Sequence, residues 1–422
     1  MKHIFNWDSL FCSLYIAGLI WLFTVLPLPQ TDLFDPLAKA FDEVELSDMA
    51  FASPAVDKFG VDRGGGELEE HFIRKKQSAD TNIVLVNIQH LNRAQIAQQI
   101  ENLNKHSPKV IAIDAFFRKD KDPMQDFPLE MAFSQVKNLV LVAELEKGNG
   151  ECFDSLSTSN PKFNQYAQNG FANVNSATKG TGFRTVKEVY PYGCLKDTVF
   201  PNFTTKIVEL FDPEAYKKLN ERSYDSEVIN WRGHYDKFYA LDWDDVLHEK
   251  YDLSFVKDKI ILMGYIGMEL GQRDLEDIFF TPQNHKIAGR SYPDTYGVVV
   301  HANTISMMLH DNYIYQMPDW LRNLLIIVIT YLNVSVFLYV AKTRKIYYDL
   351  ITKTFQLIEV GIFMYLIIYF MLEHKIKVHL TLLFAAILLS GDLTELYAGS
   401  LKPIVLKYLS KFGLITGDFE ED

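Results

Sequence analysis

The sequence predicts an α/β protein: an extracytoplasmic domain with a mixed, mainly parallel sheet flanked by helices, joined to α-helical transmembrane segments, one N-terminal and three C-terminal. Three observations predict it. Apolar residues are concentrated in long runs beside a polar middle. That middle begins with short β-branched runs separated by helix-like stretches, the order of a βαβαβ unit with right-handed crossovers. Basic residues are unevenly divided among the loops between the apolar runs, which orients the chain in a bilayer.

Composition narrows the function classes. The 422 residues carry 42 Lys and Arg against 54 Asp and Glu, a net charge of −12, with 48% hydrophobic residues. At roughly 150 residues per folded unit there is room for more than one. The acidic balance argues against nucleic acid as a partner. The polar middle argues against a polytopic transporter, and the apolar runs against an ordinary soluble enzyme.

The first run, Leu10–Leu28, has 19 residues without a charge. At ~1.5 Å per residue it reaches ~28 Å, close to the thickness of a hydrocarbon core. A cleaved signal peptide is the rival reading. Because Pro27, Leu28, Pro29 and Gln30 lack the small-x-small pattern of a cleavage site, a retained anchor is expected. Three further spans are expected at 320–340, 354–372 and 378–398. Lys342, Arg344, Lys345 and Lys353 make the first connection between them the richer in basic residues, whereas Lys375 and Lys377 in the second stand beside Glu373, His374 and His379. The positive-inside rule then places residues 1–9, 341–353 and 399–422 in the cytoplasm and 29–319 outside. Lys402, Lys407 and Lys411 agree with that. The 24-residue tail falls below the ~40 residues that support a core, so a cytoplasmic effect is expected to pass through a partner.

Acidic residues within these runs need an explanation, because a charge at mid-bilayer costs at least ~2.5 kcal/mol. Glu359 and Glu395 are read as lying near helix ends and reaching the interface. Asp392 is expected to face other helices, hydrogen-bonded in the bundle or meeting a partner's helix; a proton pathway is the remaining alternative.

Leu33, Phe34, Leu37 and Phe41 mark an approach segment over residues 29–80. Its Gly64–Gly66 run lacks a preceding strand and a following Lys-Ser or Lys-Thr, so it reads as a connector and not a phosphate loop. Ile83–Ile88 is a strand apolar on both faces. In the helix after it, Leu91, Ile96, Ile100 and Leu103 form a stripe opposite Arg93, Gln98, Glu101 and Lys105. Lys109–Phe117 is a second strand, Leu129–Val136 a helix and Asn138–Leu145 a third strand, expected to form a parallel three-strand sheet. Gly170–Gly193 reads as an antiparallel hairpin, Phe203–Asn220 as a helix, and Glu227–Trp231 and Lys259–Gly264 as strands. The region closes with a helix, Tyr296–His310, that carries Val299, Asn303, Ser306 and His310 on one face directly before the second span.

Candidate ligand-binding residues follow from position and type. Asp114 stands at the carboxyl end of an apparent parallel strand, where open α/β sheets bind ligands. With Arg118 it can recognise a small polar molecule; a helix cap or an internal pair with Arg118 is the plain alternative. Arg273, Asp274, Glu276 and Asp277 lie in a loop on the same rim. Clustered carboxylates suit a divalent cation, but the spacing matches no calcium loop, so a solvated acidic turn, with no metal or cofactor, is expected. His301 and Asn303 fall in the closing helix, where a hydrogen-bonded structural role competes with pH sensing by His301. No Ser/His/Asp order, HExxH, CxxC pair or dinucleotide glycine fingerprint is present, so no enzymatic activity is expected. Cys12 lies in the first apolar run. Cys152 and Cys194 lie in the outer region and, in an oxidising compartment, are expected to form a disulfide, with free buried thiols as the alternative.

Four blocks in this order, IVLVNI, VIAIDAFF, DKIILMG and GVVVHANTISMML, resemble the CHASE2 extracellular sensor domain of bacterial membrane receptors. The layout of one membrane helix before the domain and three after it is also similar, over about residues 30–398. The chain departs from the family in two respects. Family members usually continue into a kinase, cyclase or diguanylate-cyclase module, and the turn after KIILMG reads Gly264-Tyr265-Ile266-Gly267. The resemblance implies a non-enzymatic sensor or signal-input subunit of the bacterial inner membrane. Its outer domain would bind a small ligand or envelope partner and convey its state to a separate protein, alone or as an oligomer. A docking subunit of an envelope complex, with no small-molecule ligand, is the alternative.

Overall fold

A computed structural model describes residues 7–25, 51, 78–147, 152–173, 185–196, 198–222, 224–272, 274–284, 292–378 and 380–411. The approach residues Leu33 to Phe41, the Gly64–Gly66 run and Arg273 lie outside the described residues. The chain forms two compact units, Asp48–Ile314 and Met1–Ser47 with Tyr315–Asp422. Helix α1 (Trp7–Val25) belongs to the latter.

In the unit Asp48–Ile314, β1 (Asp80–Asn87) leads to α2 (Arg93–Asn104), whose start is fixed by reciprocal capping between Asn92 and Gln95. β2 (Val110–Ile113), α3 (Pro123–Gln135) and β3 (Leu139–Lys147) complete the βαβαβ unit. Asp122 caps α3 and Pro123 occupies its first turn, so the helix starts earlier than its apolar residues alone indicate. Then come β4 (Phe153–Ser157), α4 (Pro161–Asn164), β5 (Gln168–Phe171), β6 (Glu188–Val189), β7 (Tyr192–Leu195) and β8 (Thr198–Pro201). The stretch expected to be one helix from Phe203 is two, α5 (Phe203–Phe211) and α6 (Pro213–Glu221). Asp212 ends the first and caps the second, and Pro213 cannot continue a helix. β9 (Glu227–Val228), β10 (Phe238–Leu241), α7 (Trp243–Leu247), β11 (Ile260–Gly264), β12 (Ile278–Phe279), β13 (Thr295–Tyr296) and α8 (Gly297–Leu309) follow.

The parallel strands stand in the order β10, β1, β11, β2, β3, β5. The expected three-strand sheet is thus split by β11, which enters between β1 and β2. Successive residues alternate between faces. Ile83, Leu85, Val110, Ala112, Ile260 and Leu262 pack under α5 and α8, whereas Val84, Val86, Ile111, Ile113, Ile261 and Met263 pack under α2 and α3. Beyond its pairing with β5, β3 runs on to pair antiparallel with β4, which continues the sheet through β7 and β8. The antiparallel hairpin is therefore β7–β8, later than expected: β5 is spent on parallel pairing with β3, and β6 pairs with β9.

In the second unit, β14 (Tyr315–Gln316) precedes α9 (Asp319–Thr343), and α10 (Tyr348–His374) leads through β15 (Ile376–Lys377) to α11 (Thr381–Leu396), which runs through a π turn into α12 (Lys402–Lys411). Among the described residues, three helical stretches are long and apolar enough to cross a membrane: α9, α10, and α11 with its continuation. Cys12 and Ile16 of α1 pack on Val334, Leu338 and Tyr397. Glu359 lies well inside α10 and not near its end, because that helix begins at Tyr348; Asn333 of α9 donates to it at 2.7 Å. Asp392 is exposed and does not face the bundle interior: Lys353 of α10 reaches its carboxylate at 2.5 Å. Glu395, one turn on, is exposed.

Candidate functional site

The carboxyl ends of β10, β1, β11 and β2 form a rim. At its β10–β1–β11 part, Asn87 is fully buried and saturated. Its amide donates to Asp242 and to the Gly267 carbonyl, both at 2.9 Å, and its oxygen accepts from the Gln89 and Ile266 N–H groups, both at 3.1 Å. Asp242 also accepts from the Leu270 N–H at 3.1 Å. This part of the rim is filled by the chain itself.

The β2 part is different. The Asp114 N–H still donates to Met263 O at 2.8 Å, which extends the ladder one residue past the strand and sets the side chain at the rim. Its carboxylate lies 3.6 Å from Nε2 of His301, with the two side chains 16% and 9% exposed. α8 brings His301 this close because Gly264 lets the helix settle on β11: a Cβ there would stand 2.7 Å from that of Val298. The Phe203 ring meets His301 edge-on at 5.2 Å. Asp277 completes the group from an exposed turn with left-handed backbone (φ 49°). Its carbonyl accepts the Gly297 N–H at 3.0 Å, and its carboxylate lies where a Cβ on Gly297 would fall, 2.9 Å away.

Burial pushes the Asp114 carboxyl up to about 7 and the His301 imidazole down to about 4. Burial, then the charges of Asp114 and Glu276, push Asp277 up to about 7. Among the described residues, neither carboxylate accepts a hydrogen bond and no group of three His, Cys, Asp or Glu is placed to hold a metal ion. The arrangement is a pair of carboxyls and a neutral imidazole that can exchange protons. Beside His301 lies a cavity of about 20 Å³ lined also by Asn173, Glu188, Asn202 and Thr304, room for about one water.

A family model for the CHASE2 domain matches residues 71–341. The chain belongs to the CHASE2 family. CHASE2 domains are extracellular sensory domains, and here the match is followed by further membrane-span candidates in the C-terminal region. Neither a curated protein nor a solved structure matches the chain.

Within this CHASE2 domain the other candidates have separate surroundings. Arg118 does not pair with Asp114: it donates to Glu144 at 2.6 Å and stacks on Phe116 at 3.9 Å. Asp274 accepts the Tyr265 hydroxyl, which together with the Leu275 and Glu276 N–H groups holds its carboxyl below the usual range against the effect of burial. Asn303 is consumed in structure, its oxygen accepting the Arg232 N–H at 2.7 Å and its amide donating to Gly233 O and Val299 O, both at 2.9 Å. The Cys152–Cys194 disulfide is present, tying β7 to the residue before β4 with Cα atoms 5.0 Å apart. Two features escaped sequence reasoning. Asn87 interrupts the apolar run Ile83–Ile88, and that single polar residue was its only signal. Asp80, fully buried, accepts from Ser306 at 2.6 Å and His310 at 2.9 Å, joining the start of β1 to the far end of α8. Ser306 and His310 were legible on one helix face, but their partner lay before the apolar run.

Proposed function

We propose that this protein is a non-enzymatic signal-input subunit of a bacterial inner membrane, with its CHASE2 domain on the extracytoplasmic side. The single observation that carries this is convergence: Asp114 from β2, Asp277 from a loop and His301 from α8, residues far apart in sequence, meet at the first turns of the helix that closes the domain. A ligand or envelope partner that engages this rim acts on α8, and the chain passes from α8 to α9 through residues 310–318. Such an input works only through differential affinity for two states of the domain. The output is a separate protein that meets the membrane helices. The exposed Lys353–Asp392 pair is a feature a partner helix can read.

A docking subunit of an envelope complex is the second reading. The observation favouring it is that the rim is largely filled by Asn87 and Asp242, and that the cavity at His301 is water-sized. Two measurements on the full chain in detergent separate the readings. Thermal stabilisation by a ligand, worth ~2.7 kcal/mol at a hundredfold excess over Kd, favours sensing. Co-purification of a stoichiometric partner under every condition, with no ligand response, favours docking. Protease accessibility of residues 78–314 from the outside of spheroplasts tests the topology on which both depend.

A further inference from the structure

We propose that Asp114, Asp277 and His301 form a proton-binding site at the rim of the CHASE2 domain. The inference rests on the sensory reading above and names a ligand for the same rim.

The geometry carries it first. The Asp114 carboxyl stands at the edge of an apolar interior with the carboxyl of the exposed Asp277 acting on it, and among the described residues neither receives a hydrogen bond or pairs with a Lys or Arg. A buried carboxylate in that position sheds its charge by taking a proton. The nearest cation in sequence, Arg118, is committed to Glu144. His301 is poorly placed to carry the charge itself, being nine-tenths buried with the Phe203 ring against it.

Among the described residues, the titratable groups around the site are mostly acids and phenols, with His90 answering one of the acids. Glu276 on the Asp277 loop pairs with His90 at 3.4 Å, Glu188 and Tyr190 line the cavity beside His301, and Tyr265 is bound to Asp274. The N-terminal end of α8 favours the charge on Asp277, which leaves Asp114 as the main seat of the proton. The carboxyls' positions near neutrality place the exchange in the range an extracytoplasmic space can cross. Loss of the proton sets two negative charges side by side at the point where the Asp277 carbonyl holds the Gly297 N–H, so the change bears on the start of α8.

The test is infrared difference spectroscopy of the full chain in lipid nanodiscs between about pH 5.5 and pH 8, where a perturbed carboxyl titrates, with hydrogen exchange of Gly297–His301 followed over the same interval. The expected result is a protonated-carboxyl band with a midpoint near neutrality, lost in Asp114→Asn and displaced in Asp277→Asn, with exchange at α8 changing at the same midpoint. A wild-type protein without such a band overturns the proposal. So does a band that persists in the double variant Asp114→Asn/Asp277→Asn. The wild-type measurement needs no variant to fold. A titrating band with unchanged exchange at α8 supports the proton site and counts against transmission through that helix. A flat titration removes the proton site and leaves the sensory reading to the ligand and partner measurements.

Discussion

Replacing Asp114 and His301 one at a time is expected to give this domain pH dependences of stability with opposite signs. The Asp114 carboxyl sits at about 7 against an ordinary 3.8, and the His301 imidazole at about 4 against 6.5, both through burial. Between those limits the unfolded chain has Asp114 ionised and His301 protonated, whereas the folded domain holds the proton on the carboxyl and leaves the imidazole neutral. Each state binds one proton, so the pair by itself makes the intact protein nearly indifferent to pH from about 4 to 6.5. In His301→Gln only the raised carboxyl remains. Its contribution is fully present below 3.8 and is lost as pH rises through about 7. In Asp114→Asn only the depressed imidazole remains, with a contribution present above 6.5 and lost as pH falls through about 4.

The magnitudes follow from the displacements at ~1.36 kcal/mol per pH unit: ~4 kcal/mol in all for Asp114 and ~3 kcal/mol for His301 as ceilings, with slopes approaching 1.4 kcal/mol per unit. With side chains only 16% and 9% exposed, solvent screening removes little of this. Asp277 is also raised and adds a slope of its own, so the comparison is made in an Asp277→Asn background. Urea midpoints measured by pulse proteolysis of the full chain in detergent, read from cleavage within residues 78–314, provide the assay. Slopes of the same sign in the two variants, or a parent as steep as either, would refute the neutral acid–imidazole pair.

Four other expectations can be checked with the same preparation. Replacing both Cys152 and Cys194 by Ser lowers the unfolding free energy of the CHASE2 α/β unit by up to ~4 kcal/mol on chain-entropy grounds for the 42-residue separation, read from denaturation with and without reductant. Gly264→Ala places a Cβ 2.7 Å from the Cβ and 2.8 Å from a γ-methyl of Val298 and costs about 1–3 kcal/mol through overpacking; Gly264→Ala/Val298→Ala removes the γ-methyl clash alone and recovers part of that, measured by thermal unfolding. Arg93→Met breaks a buried pair in which Asp126, despite burial, is held down to about 2 by Lys162, the Lys121 N–H and Arg93. That carboxylate's contribution is present above 3.8 and lost as pH falls towards about 2; because Lys162 and the Lys121 N–H still hold it, the variant loses less than the ~3–5 kcal/mol of a fully unpaired buried charge and acid-unfolds at higher pH. Asn333→Leu removes the donor to Glu359 and is expected to lower the stability of the helical unit in detergent by ~0.6–2 kcal/mol.

Much of the fold was legible because its strands are buried on both faces. Ile83–Ile88, Lys109–Phe117 and Lys259–Gly264 announce themselves as β-branched apolar runs whatever their neighbours. Pairing order was not legible, because β11 joins β1 and β2 through a crossover that leaves no mark in the period of either strand. The break at Asp212 was written in the sequence as a cap followed by Pro213, and the amphipathic pattern running across it hid the signal. In the rim, Asp114, Asp277 and His301 were each nominated for a local reason: a strand end, an acidic turn and a helix face. Their meeting was beyond local reasoning, since it depends on Gly264 admitting α8 to the sheet. The internal pair of Asp114 with Arg118, one of the alternatives to ligand binding, does not form, because Glu144 on the neighbouring strand takes the guanidinium.

Asn87 and Asp114 show why buried polarity alone does not mark a site. Both end strands of the same sheet on the same rim, and both are polar where an apolar residue would pack. Asn87 has two donors and an oxygen that accepts twice, and the structure meets each of these with a partner from the residues just past β10 and β11 or from the turn after β1. Its burial is thereby compensated, and it acts as a staple. An amide also has no proton to lose at any ordinary pH. Asp114 has acceptor capacity that the described residues leave unfilled and a titratable proton that burial holds near neutrality. Exchanging the two residue types separates the roles: Asn87→Asp places a charge among satisfied groups and unfolds the rim, whereas Asp114→Asn keeps the shape, removes the carboxyl's proton exchange near neutrality and leaves the opposite pH dependence of His301.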